Sequence, residues 1–347
     1  MLHSLRSRPS RPTSRLMSTS TSPAIPIPPT DKYLFDLRGY LVLRSVLSPL
    51  EVLAANSAID SRSHLAAGRG APGVRNAREG TGLGGEGERR DLGGMLEWEG
   101  DDSAVFRSVL AHPRLAPYFN AFLGPGYRLD HLPFLILQHP GSEGFSLHGG
   151  VTDVRTGRYN HHLGHEFRNG DVRCNLLACE VVLSDHPEGM GGWCVVPGSH
   201  KSNLPAPAEL IENGSEIGEG GGSLSGLRDA CVQPAVKAGD VILFSEGTVH
   251  GAAPWRNEHE RRVALYRFSP GFMGYGRGYS CGLEGGFYPK RMTEGMTEAE
   301  KAVCLPPFAT HLDREVVGDD GRVVDGAGKR TEEKKTFDRR VFGVDYY

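Results

Sequence analysis

The sequence predicts a mainly β protein: a barrel or sandwich of short strands, with flanking helices contributed by the N-terminal third. Short apolar runs follow one another from the middle of the chain onward, and residues typical of turns bound each of them. This spacing is typical of an antiparallel barrel or sandwich, because a parallel sheet would alternate its strands with amphipathic helices. The runs are YRLDHLPFLILQ, VRCNLLACEVVLSD, GGWCVVPGSH, GDVILF and RRVALYRFSPG.

The N-terminal part of the fold is expected to begin with a strand followed directly by a helix. The segment Lys32–Val46 (KYLFDLRGYLVLRSV) predicts a strand centred on YLVL. Ser48 and Glu51 then have the spacing of a capping box, with Pro49 at the first helical position. We therefore expect a helix from this point to about Ile59.

A second helical region is expected over Asp102–Leu123, where apolar residues recur at helical spacing. Pro113 and Pro117 interrupt the pattern, and each should break or restart the helix. Gly124 follows the last periodic residue and is a natural helix terminator. Short helical pieces, rather than one long helix, are the expected result.

Three segments show no packing pattern. Residues 1–24 contain arginines and many serines but no acidic residue, a composition typical of an organelle transit peptide. The glycine-rich segments 69–94 and 213–226 predict loops. The second of these is not a phosphate-binding loop, because no strand precedes it and no Lys-Ser/Thr pair follows it.

The chain is therefore expected to consist of one folded domain with two extensions. Residues 1–30 are predicted to be a disordered tail or transit peptide, 31–310 the folded domain, and 311–347 a charged extension. The expected location is the matrix of mitochondria or another organelle, or otherwise the cytoplasm. A sheet protein of 347 residues can form a single domain.

Composition narrows the classes of partner. The formal net charge of -3 gives no electrostatic reason to expect nucleic acid or a membrane surface, and a small molecule is the expected partner. No apolar run approaches the ~18 residues of a membrane span. The cysteines are scattered without a CxxC pair, which favours reduced thiols over a disulfide framework or a structural zinc site.

The residues that carry chemistry are two histidines and an arginine. His148 ends the apolar run FSLH, His250 follows the buried strand GDVILF, and Arg261 opens the next strand. Non-haem Fe(II) oxygenases hold their metal with two imidazoles and a carboxylate, which leaves positions open for a cosubstrate and dioxygen. A buried arginine suits the far carboxylate of 2-oxoglutarate, because its planar fork binds a carboxylate in a bidentate manner.

The sequence also resembles a known family at these points. The runs GYLVLRSVLSPLEV, GGWCVVPGSHKSN and GDVILF with His250-Gly251 are similar to those of the phytanoyl-CoA dioxygenase family, over roughly residues 33 to 275. The resemblance implies a double-stranded β-helix (a cupin-like jelly-roll), with Fe(II) and 2-oxoglutarate as cofactor and cosubstrate and ascorbate as a possible reductant. It assigns His148 and His250 to the metal and Arg261 to 2-oxoglutarate, with Arg262 as the alternative if the strand register differs by one residue.

The sequence departs from that family at the metal carboxylate. The family pattern is His-x-Asp, but Gly150 stands at the aspartate position. Asp153 or Asp130 could supply the carboxylate instead, and an unfamiliar third ligand is also open. Alternatively, chloride could bind at the vacant position, as in halogenases of the wider superfamily, or the protein could be an inactive binding module.

The predicted function is that of an Fe(II)/2-oxoglutarate-dependent oxygenase. The expected reaction is hydroxylation of an unactivated carbon in a small organic or lipid-like substrate. A halogenase and a catalytically inactive binding protein on the same fold are the alternatives. Family resemblance does not choose the substrate, because one fold serves many chemistries.

Overall fold

The computed structural model describes residues 27–68, 83–153, 156–207, 230–275, 288–307, 314–326 and 330–344. The predicted loop at 213–226 and the predicted targeting segment at 1–24 lie outside these ranges, as does most of the 69–94 loop. The targeting role therefore stays a prediction from composition. Among the described helices, none is both long enough and apolar enough to cross a membrane.

Helices occupy mainly the two ends of the described chain. They are α1 (Pro29–Arg38), α2 (Pro49–Asp60), α3 (Ala104–Ser108), α4 (Ala116–Leu123), α5 (Lys290–Thr293), α6 (Glu298–Val303) and α7 (Glu332–Phe342). The capping box that opens α2 is confirmed, since the Ser48 side chain accepts from the backbone N–H of Glu51 and the Glu51 carboxylate accepts from that of Ser48. The expectation for Lys32–Val46 was incomplete, because only its YLVL part forms a strand. The residues before it belong to α1, which ends at Gly39 in the left-handed conformation.

The strands supply the middle of the chain and confirm the mainly β prediction. They are β1 (Tyr40–Leu43), β2 (Ala67–Gly68), β3 (Arg90–Leu92), β4 (Arg128–Gln138), β5 (Phe145–His148), β6 (His165–Arg168), β7 (Asp171–Cys174), β8 (Leu177–Val182), β9 (Gly192–Val196), β10 (Val241–Ser245), β11 (Val249–Ala253), β12 (Arg261–Ser269), β13 (Glu315–Val317) and β14 (Val323–Asp325). The pairing in every ladder between these strands is antiparallel.

Two sheets build the jelly-roll. The larger has the strand order β1-β10-β8-β12-β4-β3-β2, and the smaller has the order β5-β11-β9. An apolar cluster joins them: Trp193 and Val195 of β9 pack with Phe244 of β10 and Leu265 of β12. This cluster therefore fills part of the interior between the two sheets.

The other face of the large sheet carries the helices. Alternate residues point to opposite faces of a strand, so Cys179 and Val181 of β8 join the helical cluster, while Ala178 and Val182 join the cluster between the sheets. Glu180 lies on the same face as the latter pair and is buried. One charged side chain of this central strand is thus placed inside the jelly-roll.

Candidate metal centre and cosubstrate pocket

His148 and His250 face each other across two neighbouring strands. His148 is the last residue of β5 and His250 lies in β11, and the two are direct partners in the antiparallel ladder. Their ring centroids are 4.3 Å apart. The fold therefore brings together the two histidines that the sequence separates by a hundred residues.

Backbone carbonyl groups orient both imidazole rings. Nδ1 of His148 lies 2.9 Å from the carbonyl oxygen of Ser146, and Nδ1 of His250 lies 2.8 Å from that of Thr248. A ring that donates its Nδ1 proton to a carbonyl keeps the lone pair of Nε2 for a metal, the arrangement common among metal-ligating histidines. Each histidine is thus held in the tautomer that a metal site requires.

Glu246 completes a three-residue cluster that the sequence reasoning missed. It lies in the turn between β10 and β11, and one ligand atom each from His148, Glu246 and His250 lie within 4.8 Å of one another. Its Oε2 is 3.8 Å from Nε2 of His250. Within the described residues, this is the group of histidine and acidic side chains arranged to hold a metal ion.

The carboxylate of Glu246 is buried beside a cation. Burial raises the pKa of Glu246, but the Arg267 guanidinium, aided by His250 and His148 when their rings are protonated, outweighs that effect and holds the pKa below its usual range. The Nε of Arg267 donates to Oε1 of Glu246 over 2.6 Å. Oε1 of Glu246 is therefore held by Arg267, while Oε2 is the oxygen that lies near His250.

The backbone after His148 has a conformation that suits the two glycines at positions 149 and 150. Gly149 and Gly150 have φ values of +97° and +86°, in the left-handed region that disfavours other residues. A Cβ at Gly149 would lie 2.1 Å from the carbonyl oxygen of Thr248, whereas a Cβ at Gly150 would meet nothing closer than 3.6 Å. The backbone at both positions therefore favours glycine over a side chain that would bind metal.

A pair of alanine variants tests this account of the glycines. Gly150→Ala should lower the free energy of unfolding by about 1–3 kcal/mol, the cost of a strained backbone alone. Gly149→Ala should cost more, because its Cβ also collides with a backbone carbonyl. Urea denaturation of the two variants measures the difference, and equal losses would contradict the assigned conformations.

The two aspartates considered as substitute ligands are engaged elsewhere. Oδ1 of Asp153 accepts hydrogen bonds from the backbone and hydroxyl of Thr156. Asp130 is buried in an ion pair with Arg128 and accepts from the backbone N–H of Tyr275. Neither aspartate belongs to the histidine cluster.

Arg261 lies inside the jelly-roll, as a binding residue for a dicarboxylate must. The side chain is almost fully buried and donates from Nη1 to Gln138 over 2.8 Å and from Nη2 to Glu180 over 2.7 Å. Its Nε is buried and has no hydrogen-bond partner among the described residues. Gly192 leaves room beside that atom, since a Cβ there would come within 3.0 Å of it.

Arg262, the alternative anchor, points to the opposite side of β12. Its guanidinium is paired with Glu260 and Asp60, at distances of 2.6 and 2.7 Å. This is the alternation expected of neighbouring residues in a strand. The geometry therefore favours Arg261 over Arg262 as the residue that faces the interior.

A cavity of about 150 Å³ is lined by both histidines and by Arg261. Its lining combines aromatic and aliphatic side chains with charged groups, the composition usual for a small-molecule site. The lining residues are Arg89, Phe134, Ile136, Phe145, His148, Glu180, Trp193, Phe244, His250, Gly251, Ala252, Arg261, Leu265 and Arg267.

Comparisons with known proteins agree with this architecture. The family model described as phytanoyl-CoA dioxygenase matches residues 35–263. HygX from Streptomyces hygroscopicus with nickel and 2-oxoglutarate bound is 24% identical, with a TM-score of 0.56 over 76% of this chain and 96% of that chain. The same protein with nickel, 2-oxoglutarate and hygromycin B bound is 22% identical over the same shares, with a TM-score of 0.56. A comparison with curated protein sequences found no match.

Proposed function

The chain belongs to the phytanoyl-CoA dioxygenase family, and from that membership we propose that it hydroxylates an unactivated carbon of a small organic or lipid-like substrate. It is a non-haem iron enzyme that depends on 2-oxoglutarate. In the proposed site, His148, Glu246 and His250 hold Fe(II), and Arg261 binds the far carboxylate of 2-oxoglutarate.

The observation that carries the metal assignment is the three-residue cluster. Two imidazoles and one carboxylate are the donor set of non-haem Fe(II) oxygenases, and they leave further positions open for other ligands. His148, Glu246 and His250 offer one atom each within 4.8 Å. The residues present therefore fit Fe(II), with the carboxylate supplied by a different part of the chain from the one that the family pattern uses.

The observation that supports the cosubstrate assignment is the buried Nε of Arg261. A buried N–H group without a partner is costly, and a carboxylate that accepts from it would remove that cost. Arginine is suited to this role because it stays charged and binds carboxylates through paired N–H groups. The cavity joins this guanidinium to the histidine cluster.

Fe(II) held by these residues would supply the activation of dioxygen, coupled to the oxidative decarboxylation of 2-oxoglutarate to succinate and carbon dioxide. The protein positions the metal ligands and encloses the cavity in which the reaction would take place. Arg267 holds Glu246 in place through its 2.6 Å hydrogen bond. The apolar walls, formed by residues such as Phe134, Trp193 and Leu265, limit access of water to the reacting centre.

A halogenase is the second candidate, and the glycine at position 150 favours it. A halogenase binds chloride to the metal in place of the carboxylate ligand. Here Glu246 offers a carboxylate beside His148 and His250, and its negative charge disfavours a second anion at the metal. The geometry therefore favours hydroxylation over halogenation.

Product analysis tests the proposal. The protein is incubated with Fe(II), 2-oxoglutarate, chloride, labelled dioxygen and a mixture of small organic acids and lipids. A hydroxylase consumes one dioxygen and one 2-oxoglutarate for each product and places one labelled oxygen atom in it. A chlorine isotope pattern in the product would support the halogenase, and the absence of any succinate would support a non-catalytic binding protein.

A further inference from the structure

Arg261, which the proposed function assigns to 2-oxoglutarate, is already paired with a carboxylate of the protein. Its Nη2 donates to Oε1 of Glu180 over 2.7 Å, and both side chains are buried. Its Nη1 donates to Gln138. A dicarboxylate that reaches this guanidinium therefore meets a second carboxylate already bound to it.

Glu180 is an acidic residue buried in the middle of an apolar sheet, which is unusual. It lies in β8, the strand between β10 and β12, and its direct neighbours in the two ladders are the apolar residues Ile242 and Leu265. Burial raises the pKa of Glu180, and the guanidinium groups of Arg261 and Arg89 oppose this rise without cancelling it. Burial thus works against the negative charge that the ion pair with Arg261 requires.

Two further arginines, Arg89 and Arg267, line the cavity together with the titratable side chains of His148 and His250. Arg267 is paired with Glu246. Arg89 donates from Nε to Asp91 over 3.0 Å and stacks on Phe145. The neighbouring strand β10 brings apolar residues to this region. Arg261, which donates a hydrogen bond to Glu180, is therefore the largest compensating charge, and Arg89 adds to it.

We propose that Glu180 competes with 2-oxoglutarate for Arg261 and takes up one proton from solvent when the cosubstrate binds. The inference rests on the proposed role of Arg261. Two carboxylates that share one buried guanidinium repel each other strongly, because the surrounding dielectric is low. Protonation of Glu180 removes that repulsion and leaves the guanidinium to the cosubstrate.

The proposal makes affinity for 2-oxoglutarate depend on pH in a definite direction. Binding requires a proton on Glu180, so the affinity is highest below the pKa of Glu180 in the cosubstrate-free protein and falls as pH rises above that pKa. A glutamine at position 180 keeps the size of the side chain and an oxygen acceptor for Arg261 but carries no charge. The Glu180→Gln protein should therefore bind 2-oxoglutarate with little dependence on pH.

Isothermal titration calorimetry of 2-oxoglutarate into the Co(II)-loaded protein tests this. Titrations in two buffers with different heats of ionisation give the number of protons taken up. At about pH 8, Glu180→Gln should bind at least about tenfold more tightly than the unaltered protein, and its proton uptake should be lost. Glu180→Met should change both quantities in the same direction, and Glu260→Gln, in the outward ion pair with Arg262, should change neither.

The outcomes separate this inference from the proposed function. Equal or weaker binding by Glu180→Gln, or proton uptake equal in the two proteins, would overturn the competition while leaving 2-oxoglutarate as the cosubstrate. Failure of every variant, and of the unaltered protein, to bind 2-oxoglutarate would instead overturn the proposed function, because 2-oxoglutarate would then not be the cosubstrate. Circular dichroism of each variant confirms that it is folded.

Discussion

Glu246→Gln is expected to lower the affinity for Fe(II) or Co(II) by at least ~10–100-fold, the range found when groups that merely support metal ligands are changed. The substitution replaces an ionised oxygen ligand by a neutral amide of the same shape. Because Glu246 carries the only carboxylate of the three-residue cluster, the metal would lose the one anionic ligand that this cluster offers. Calorimetric titration of the metal-free protein with Co(II) measures the loss.

Glu260→Gln is the matched control for this experiment. Glu260 is also paired with an arginine at 2.6 Å, but that arginine, Arg262, lies on the outward side of β12. We expect the metal affinity of the Glu260→Gln protein to equal that of the unaltered protein. Unchanged metal affinity in Glu246→Gln would remove Glu246 from the site and reopen the question of which group replaces the aspartate.

Arg261→Met should weaken 2-oxoglutarate binding by about 2–5 kcal/mol, the usual cost of removing one partner of a buried charged hydrogen bond. The metal affinity should remain, because Arg261 is not among the residues of the cluster. Titration of 2-oxoglutarate into the Co(II)-loaded variant measures the effect. The double variant Arg261→Met/Glu180→Gln avoids leaving Glu180 buried without its cation and guards against a loss caused by misfolding.

Arg262→Met provides the comparison that the strand geometry suggests. Arg262 is adjacent in sequence and equally charged, but it faces Asp60 and Glu260 rather than the cavity. Its replacement should leave 2-oxoglutarate binding unchanged. The opposite pattern, with Arg262→Met impaired and Arg261→Met normal, would show that the cosubstrate lies outside the jelly-roll interior.

The strands could be predicted from the sequence because their signals are local. Apolar runs such as GDVILF and RRVALYRF are short, end in turn residues and became β10 and β12. The helix α1 was harder, because its sequence, PTDKYLFDLR, contains few apolar residues and merges with the strand that follows. Its end depends on the left-handed conformation of one glycine, Gly39.

The site was predictable in part, for a physical reason. His148, His250 and Arg261 could be proposed as site residues because the family pattern fixes their order and spacing. Glu246 was missed because its nearness to His148 depends on the pairing of β5 with β11, which spacing along the chain does not reveal. A signal was present, since Glu246 is the one acidic residue in the mainly apolar run from Val241 to Ala253 and lies four residues before His250.

Glu180 is a second example of an acidic residue within an apolar run of the sequence. It interrupts the apolar strand LACEVV, and a charged residue in such a strand needs a partner. The sequence alone does not name that partner, because β8 and β12 are far apart along the chain and meet only through sheet topology. Register across the sheet, rather than composition, decides which cation it meets.

The most direct test of the account is an anaerobic titration of the protein with Fe(II) and 2-oxoglutarate, followed by visible absorption. Chelation of 2-oxoglutarate to Fe(II) held by His148, Glu246 and His250 should produce a metal-to-ligand charge-transfer band that saturates at one equivalent of each. The band should be lost in His250→Ala. Its absence from the unaltered, folded protein would contradict the central claim that this cluster is an iron and 2-oxoglutarate site.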